Sequence, residues 1–173
     1  MLVKYQNKES KVWFVVACEE EFYMPDVNIV YTGVGKVRAA MATQKIIDEY
    51  KPSKIINVGT AGCALEDLCH KIFRIGKIVE RDYDVKNGKV NELDLGGGVV
   101  LGTGDSFVED WTRLEYKLVD MEGYAIGCVC QENGIEFECY KYASDTGSMA
   151  DWELSLEGCN LSFRETVQNG VIG

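Results

Sequence analysis

Short apolar runs on either side of a helix-like segment constrain the fold of this chain more than any other feature. β-Branched and aromatic residues fill positions 11–18, 27–32 and 54–58, which predicts three buried strands. Between the second and third strands, residues 36–50 place small or apolar side chains on one helical face, and Pro52 follows their end. Strands that alternate with helices indicate an α/β layer architecture with a mostly parallel sheet.

The rest of the chain continues this alternation. Further strands are predicted at residues 72–80, 98–101 and 137–143, helices at 122–133 and 163–169, and turns at 87–91 and 96–98. The length suits one domain, and neither a linker nor an internal repeat divides it. We therefore expect a single domain over residues 1–173, with a mixed, mostly parallel central sheet flanked by helices.

The charge of the chain bounds its partners. The 173 residues carry a formal net charge of −10 at pH 7. Nucleic acids and anionic membranes attract basic surfaces, so this charge argues against both as partners. No apolar run is long enough to cross a bilayer, and the first residues do not resemble a signal peptide. We expect a cytoplasmic protein.

The cysteines and the single histidine bound the chemistry. The seven cysteines form no C-x-x-C pair and lie mostly in apolar segments, which favours buried reduced thiols over disulfides or structural zinc. His70 is the only histidine, and its neighbours give no support for a nucleophilic triad. We expect no metal, and we expect carboxylates to carry any acid–base chemistry.

Glycine-containing loops are predicted after three of the strands, at residues 33–35, 59–62 and 102–104. Glycine lets a ligand approach the backbone, and the first segment also opens a helix whose free amides attract anions. A dinucleotide fingerprint fails because Arg38 occupies its third glycine position, and no P-loop is present. No cofactor is therefore expected.

Two acidic residues stand at neighbouring element ends, where open α/β sheets bind ligands. Glu122 shares a helix face with Ala125, Ile126 and Val129, and the helix dipole there would keep it ionised. A solvated acid in the first helical turn is the equally supported alternative. Asp145 follows the strand at 137–143, and partial burial near Glu122 would raise its pKa. Its alternative role is a helix N-cap or a turn residue.

Glu21 is a third candidate. It belongs to the acidic run at residues 19–21, and such runs are usually solvated. The run also stands at the end of a predicted strand, where one of its carboxylates could turn inward. Three carboxylates around one crevice would suit chemistry on a small polar molecule.

Six sequence blocks occur in the order typical of one enzyme family. They are residues 17–21 (ACEEE), 32–37 (TGVGKV), 55–62 (IINVGTAG), 104–107 (GDSF), 119–122 (VDME) and 144–145 (SD). With these blocks the chain resembles the 5′-methylthioadenosine/S-adenosylhomocysteine nucleosidases, within the purine nucleoside phosphorylase-like superfamily.

The resemblance implies roles for individual residues. Glu21 would hold and deprotonate a water, Glu122 would bind the ribose 2′- and 3′-hydroxyls, and Asp145 would protonate purine N7. Ser144 would orient Asp145, Phe107 would stack on the base, Met121 would contact the sugar, and Thr60 would lie near the sugar and the water. The expected substrate-binding residues are Thr60, Ala61, Gly62, Val34, Phe107, Val108, Asp120, Met121 and Ser144.

The reaction implied is hydrolysis of the N-glycosidic bond of methylthioadenosine, adenosylhomocysteine or a related adenine nucleoside, releasing adenine for methionine salvage. Phosphorolysis is the first alternative. The resemblance implies that a phosphorylase would bind phosphate with arginines, one of them just before Gly59, and that stretch carries none here. Arg81, Arg113 and Arg164 have no assigned role in a phosphate site. A non-catalytic nucleoside-binding protein is the second alternative.

The chain departs from the family pattern in three segments. Only five residues separate Glu21 from Val27, the region between Glu80 and Gly98 is short, and the C-terminal segment differs. Family members use these segments for peripheral strands, a lid and a dimer contact. We therefore expect reduced peripheral strands and a homo-oligomer, most simply a dimer, that covers the exposed core.

Overall fold

Nine strands and three α-helices make up the described part of the chain in the computed structural model, which describes residues 1–4, 7–83, 91–112 and 114–173. The strands are β1 Leu2–Lys4, β2 Val12–Val16, β3 Asn28–Tyr31, β4 Lys54–Cys63, β5 Ile72–Glu80, β6 Glu92–Asp94, β7 Val99–Thr103, β8 Leu118–Asp120 and β9 Glu136–Ala143. The helices are α1 Lys36–Tyr50, α2 Gly123–Glu132 and α3 Met149–Gln168, with a 3₁₀ turn at Glu66–Leu68.

The long strand β4 organises the sheet. Its first eight residues pair in parallel with β9, its other edge pairs in parallel with β2, and its last two residues pair with β8. Strands β4, β9, β5, β7 and β8 thereby form a closed circuit of pairings. Among the described strands, five of the nine pairings are parallel. The predicted mixed, mostly parallel sheet flanked by helices is confirmed.

Alternation along β2 explains how the helices pack on both faces. Trp13 and Val15 point into a cluster with residues of α1 and α2, whereas Phe14 and Val16 point into a second cluster with Cys159 and Phe163 of α3. A third apolar cluster joins the strands of the circuit. Because both faces of β2 are covered, its run reads as continuously apolar.

The glycine-containing stretch at 59–62 corrects one prediction. It is strand rather than loop, because each residue pairs with β9 or β8. Gly102 likewise belongs to β7, and only residues 33–35 form the expected loop before a helix. Strands can include glycine where another group approaches closely, and here the Glu21 carboxylate lies 3.2 Å from where a Gly59 Cβ would stand.

The C-terminal helix corrects a second prediction, the short helix at residues 163–169. α3 begins at Met149 rather than at residue 163, and the Ser148 hydroxyl caps it by accepting from Asp151 N–H at 3.3 Å. Its buried residues are Ser155, Cys159 and Phe163, while Leu154 and Leu161 are exposed. Exposed leucines obscure the period by which a helix face is recognised.

The predicted segments differ from the structure elsewhere only at their ends. The helix at 36–50 and the strand at 72–80 have the predicted bounds. Strands β1, β6 and β8 were not predicted, because three residues cannot establish an alternation. The turn at 96–98 is present, with positive φ at each glycine, whereas the turn predicted at 87–91 falls mostly outside the described residues.

No α-helix in the described ranges is long and apolar enough to cross a membrane. All seven cysteines are free thiols, and Cys63 Sγ lies 2.9 Å from Cys69 Sγ.

Candidate active site

A cleft of about 150 Å³ opens at the C-terminal ends of the strands. Its lining consists of Ala17, Cys18, Glu21, Val34, Thr60, Ala61, Gly62, Arg81, Ser106, Phe107, Val108, Val119, Asp120, Met121, Glu122, Asp145, Met149 and Trp152. All except Met149 and Trp152 lie near the end of a strand or just beyond it. The structure thus brings every predicted site residue to one cleft except Ser144. Ser144 does not line the cleft, but its hydroxyl donates to Asp145 Oδ2.

Four carboxylates that line this cleft are buried. Glu21, Glu122 and Asp145, the three candidates for chemistry, are 4%, 7% and 3% exposed, and Asp120 is 6% exposed. Burial therefore excludes the alternative that Glu21 and Glu122 are solvated surface acids. Each carboxylate has a different set of hydrogen-bond partners, so the three can perform different chemistry.

Glu21 is held by backbone and side-chain donors. Its Oε1 accepts from Thr60 N–H at 2.9 Å and from the Thr60 hydroxyl at 2.6 Å, and its Oε2 accepts from Cys18 N–H at 3.1 Å. The turn that follows β2 places it there, with Glu21 N–H donating to Cys18 O at 3.3 Å. Glu21 is therefore the member of the acidic run that turns inward.

Asp145 is fixed by the loop before α3. Its Oδ1 accepts from Gly147 N–H at 2.9 Å and Ser148 N–H at 3.2 Å, and its Oδ2 accepts from the Ser144 hydroxyl at 2.7 Å. Its carbonyl oxygen accepts from Cys63 N–H at 2.7 Å, which ties it to the end of β4. Asp145 therefore serves as a turn residue, the alternative role considered for it, and also lines the cleft.

Glu122 precedes α2 and reaches the start of α1, where its Oε1 accepts from Gly35 N–H at 2.8 Å. Burial, together with the nearby Asp120 charge, raises the pKa of Glu122 to about 8, against the opposing effects of Lys141 and the Gly35 amide. Desolvation thus opposes the helix dipole, which was expected to keep Glu122 ionised.

A buried ion pair lies behind Glu122. Lys141 Nζ donates to Asp120 Oδ2 at 2.8 Å, and Asp120 also accepts from the Thr103 hydroxyl and Gly123 N–H. Burial alone would lower the pKa of Lys141, but the charge and hydrogen bond of Asp120, together with the charges of Cys139 and Glu122, outweigh it and raise that pKa above its ordinary value. Asp120 is thus committed to the protein interior, although it touches the cleft.

The amides at the start of α1 were expected to attract an anion, and in the structure they donate to acidic side chains of the protein itself. Gly35 N–H donates to Glu122, and Lys36 N–H donates to Asp105 Oδ1 at 2.8 Å. Gly35 has a φ of 104°, in the region that favours glycine. Two carboxylates thus cap this helix from distant parts of the chain.

Seven lining residues were not predicted: Ala17, Cys18, Arg81, Ser106, Val119, Met149 and Trp152. Ala17, Cys18, Ser106 and Val119 lie inside the sequence blocks given above, and Arg81 follows the predicted strand at 72–80. Met149 and Trp152 belong to the first turn of α3, whose start went unrecognised. Trp152 Nε1–H donates to the Thr60 hydroxyl oxygen at 2.9 Å.

The basic residues around the cleft are engaged by the protein. Arg81 donates to Ser106 Oγ at 3.0 Å, to Gly104 O at 2.9 Å and to Ser106 O, while its Nε has no partner. Arg164 lies on α3, and Arg113 falls outside the described residues. No group of three or more metal-ligating side chains suited to a metal ion occurs within the described ranges.

Comparisons with known proteins agree with this fold. A model of the phosphorylase superfamily matches residues 11–87. The 5′-methylthioadenosine/S-adenosylhomocysteine nucleosidase of Geobacillus sp. (strain WCH70) is 27% identical over 178 residues, covering 81% of this chain and 73% of its own. The Helicobacter pylori nucleosidase with butyl-thio-DADMe-Immucillin-A superposes with a TM-score of 0.78 at 18% identity, covering 93% of this chain and 98% of that one. Helicobacter pylori futalosine hydrolase gives the same TM-score and coverage at 17% identity. The chain is therefore similar in fold and over most of its sequence to the 5′-methylthioadenosine/S-adenosylhomocysteine nucleosidases, and over residues 11–87 to the phosphorylase superfamily.

Proposed function

We propose that this protein is a purine nucleosidase, which hydrolyses the N-glycosidic bond of methylthioadenosine, adenosylhomocysteine or a related adenine nucleoside and releases adenine. The observation that carries the proposal is the set of three buried carboxylates in one cleft, each with its own hydrogen-bond partners. Two of the similar proteins described above are named 5′-methylthioadenosine/S-adenosylhomocysteine nucleosidases.

Asp145 is the proposed acid that protonates N7 as the base leaves. Two backbone amides occupy Oδ1, so the proton belongs on Oδ2. The Ser144 hydroxyl carries one proton and lies 2.7 Å from Oδ2 and 3.1 Å from Ala61 O. It can donate to Ala61 O while Oδ2 holds the proton and then donate to Oδ2 after the proton has moved to the base. Ser144 thus supports Asp145 in both states.

Glu21 is the proposed base for the attacking water. Its donors from Thr60 and Cys18 fix the carboxylate beside the lining residues Thr60 and Ala61. The water oxygen would attack the cationic anomeric carbon, and its proton would pass to Glu21. A carboxylate that activates water is the usual partner of a general acid in glycoside hydrolysis.

Glu122 is the proposed ribose anchor. Gly35 N–H occupies Oε1, which leaves Oε2 for the 2′- and 3′-hydroxyls. Burial raises the pKa of Glu122, which favours a protonated carboxyl that can both donate to and accept from a diol. Positive charge that develops on the sugar favours its ionised form, which would stabilise the transition state.

Hydrolysis is favoured over phosphorolysis by the state of the available donors. The amides that open α1 bind Glu122 and Asp105, and the terminal nitrogens of Arg81 bind Ser106 and Gly104. Phosphate would have to displace these partners, because a strong phosphate site needs charged or amide donors that point at it.

One assay tests the proposal. The protein is incubated with methylthioadenosine, adenosylhomocysteine, adenosine and inosine, each with and without phosphate, and the free base is measured. We expect adenine release without phosphate, reduced by about a hundredfold or more in Asp145→Asn. Glu153→Gln, on the exposed surface of α3, should keep wild-type activity. A strict phosphate requirement would establish a phosphorylase, and calorimetric nucleoside binding without turnover would establish a binding protein.

We also propose a single domain over residues 1–173 that acts as a cytoplasmic homodimer in methionine salvage. Val37 and Met41 on α1 are each 69% exposed, and Val34 and Phe107 at the cleft are exposed as well. Apolar side chains grouped near a cleft commonly mark an interface. Sedimentation at micromolar concentration should give a dimer, and a monomer there would contradict this part of the proposal.

A further inference from the structure

A chain of hydrogen bonds connects helix α3 with the carboxylate proposed to hold the water. Trp152 Nε1–H donates to the Thr60 hydroxyl oxygen at 2.9 Å, and that hydroxyl donates to Glu21 Oε1 at 2.6 Å. We infer that Trp152 is a positioning residue for the hydrolytic water, acting through the Thr60 hydroxyl on Glu21. This inference rests on the proposed function, because it assigns Trp152 a part in the water-activating half of the reaction.

The direction of every proton in this chain is fixed by chemistry. An indole N–H can donate but cannot accept, so Trp152 makes the Thr60 oxygen an acceptor. The hydroxyl has a single proton, which is then directed to Glu21 Oε1. With Trp152 in place, the water meets a Thr60 oxygen that already accepts one hydrogen bond. Without the indole, the hydroxyl could rotate and compete with Glu21 for a proton of the water.

The same contacts define where the water would bind on Glu21. Oε1 accepts two hydrogen bonds from Thr60, whereas Oε2 accepts one from Cys18 N–H. The remaining acceptor capacity is therefore greater on Oε2, which is the oxygen we expect to take the proton from water. Trp152 contributes by keeping Oε1 occupied and the carboxylate in one orientation.

The first turn of α3 holds Trp152 and also supports the acid at the other end of the reaction. Trp152 N–H donates to Ser148 O at 3.0 Å, and Ser148 N–H donates to Asp145 Oδ1. Farther along the helix, Cys159 and Phe163 are fully buried in the core. One rigid helical turn therefore sets the positions of the proposed acid and of the water-holding carboxylate together.

A double-mutant cycle on adenine release tests this role. Trp152→Phe keeps an aromatic ring but removes the donor, and Thr60→Val keeps the shape but removes the hydroxyl. We expect each variant to lower kcat about tenfold, the effect typical of losing one hydrogen bond to a charged chain, with KM changed by less than about twofold. The double variant should be no slower than Thr60→Val alone, because both changes interrupt the same chain.

Trp111→Phe is the matched control. It also removes an indole donor, but one whose acceptor is Thr146 O at 3.1 Å. Its effect on kcat should multiply with that of Thr60→Val to within about twofold, since the two residues share no hydrogen bond. The indole N–H resonance of Trp152 should move in Thr60→Val while that of Trp111 stays in place.

The possible results separate this inference from the proposed function. A wild-type protein that releases no adenine overturns both. An active wild type in which the Trp152→Phe and Thr60→Val effects multiply, or in which Trp152→Phe changes KM alone, overturns only the inference. An unmoved Trp152 indole resonance in Thr60→Val does so as well.

Discussion

Replacing Glu122 by glutamine changes the pH dependence of folding in a direction that the structure determines. An unfolded chain loses the Glu122 proton near pH 4.5, whereas burial raises the pKa to about 8 in the folded protein. Between these two values the folded state binds more protons than the unfolded state, so ionising Glu122 costs stability as the pH rises. Glutamine has no proton to lose, and this part of the pH dependence should disappear in the variant.

The size of the effect follows from the two pKa values. The interval between 4.5 and about 8, at about 1.4 kcal/mol per pH unit, gives an upper value of about 5 kcal/mol. Burial is the largest cause, and the charge of Asp120 adds to it. We therefore expect the wild type to lose about 3–4 kcal/mol relative to Glu122→Gln between pH 5 and pH 8, and little more above pH 8.

Urea unfolding at fixed protein concentration, followed by tryptophan fluorescence from pH 5 to pH 9, measures this difference. The comparison uses the slope of the free energy of unfolding against pH. Its absolute value is not compared, because the new amide shifts the stability at every pH. Glu153→Gln makes the same chemical change at an exposed position and should run parallel to the wild type. Parallel curves for the wild type and Glu122→Gln would refute a raised pKa at Glu122.

Three further substitutions test the core, each by urea unfolding. Lys141→Met leaves the buried Asp120 carboxylate without its cation and should cost about 3–5 kcal/mol; a loss below about 1 kcal/mol would mean that the pair is not buried. Gly76→Ala would place a Cβ 2.1 Å from the Gly97 carbonyl carbon and should cost about 2 kcal/mol or more, so a neutral result would contradict this backbone contact. Phe163→Ala should cost about 3–5 kcal/mol, unlike Leu161→Ala at an exposed position of the same helix, and equal losses would contradict the packing of α3.

The helix at 36–50 and the carboxylates at element ends could be predicted because both depend on local sequence. One buried helix face produces a visible period, and the end of an apolar run marks where a strand stops. The glycine-containing stretch at 59–62 could not be distinguished from a loop, since only its pairing with β9 and β8 makes it strand. Pairing partners so distant leave no trace in one sequence.

The start of α3 was available in the sequence. Ser148 stands three residues before Asp151, which is the spacing of an N-terminal capping motif. Reading it would have placed Trp152 in a first helical turn beside Asp145. Its bond to Thr60 would still have been missed, because the two residues are 92 positions apart. The raised pKa of Glu122 could not be predicted either, because burial, its largest cause, depends on the tertiary fold.

The closed circuit of strands has a consequence for how this protein and its relatives can diverge. Residues 60–62 of β4 belong to the wall of the cleft and also to the ladders that join β4 to β9 and β8. A change of backbone there would break the circuit, whereas the segments after β2, β3 and β7 are outside it. Insertions and deletions can therefore accumulate in the segments after β2, β3 and β7, while residues 60–62 of the cleft wall stay constant. If the proposed function is correct, such a division would let the substrate range change while Thr60, Ala61 and Gly62 keep their places beside the cleft.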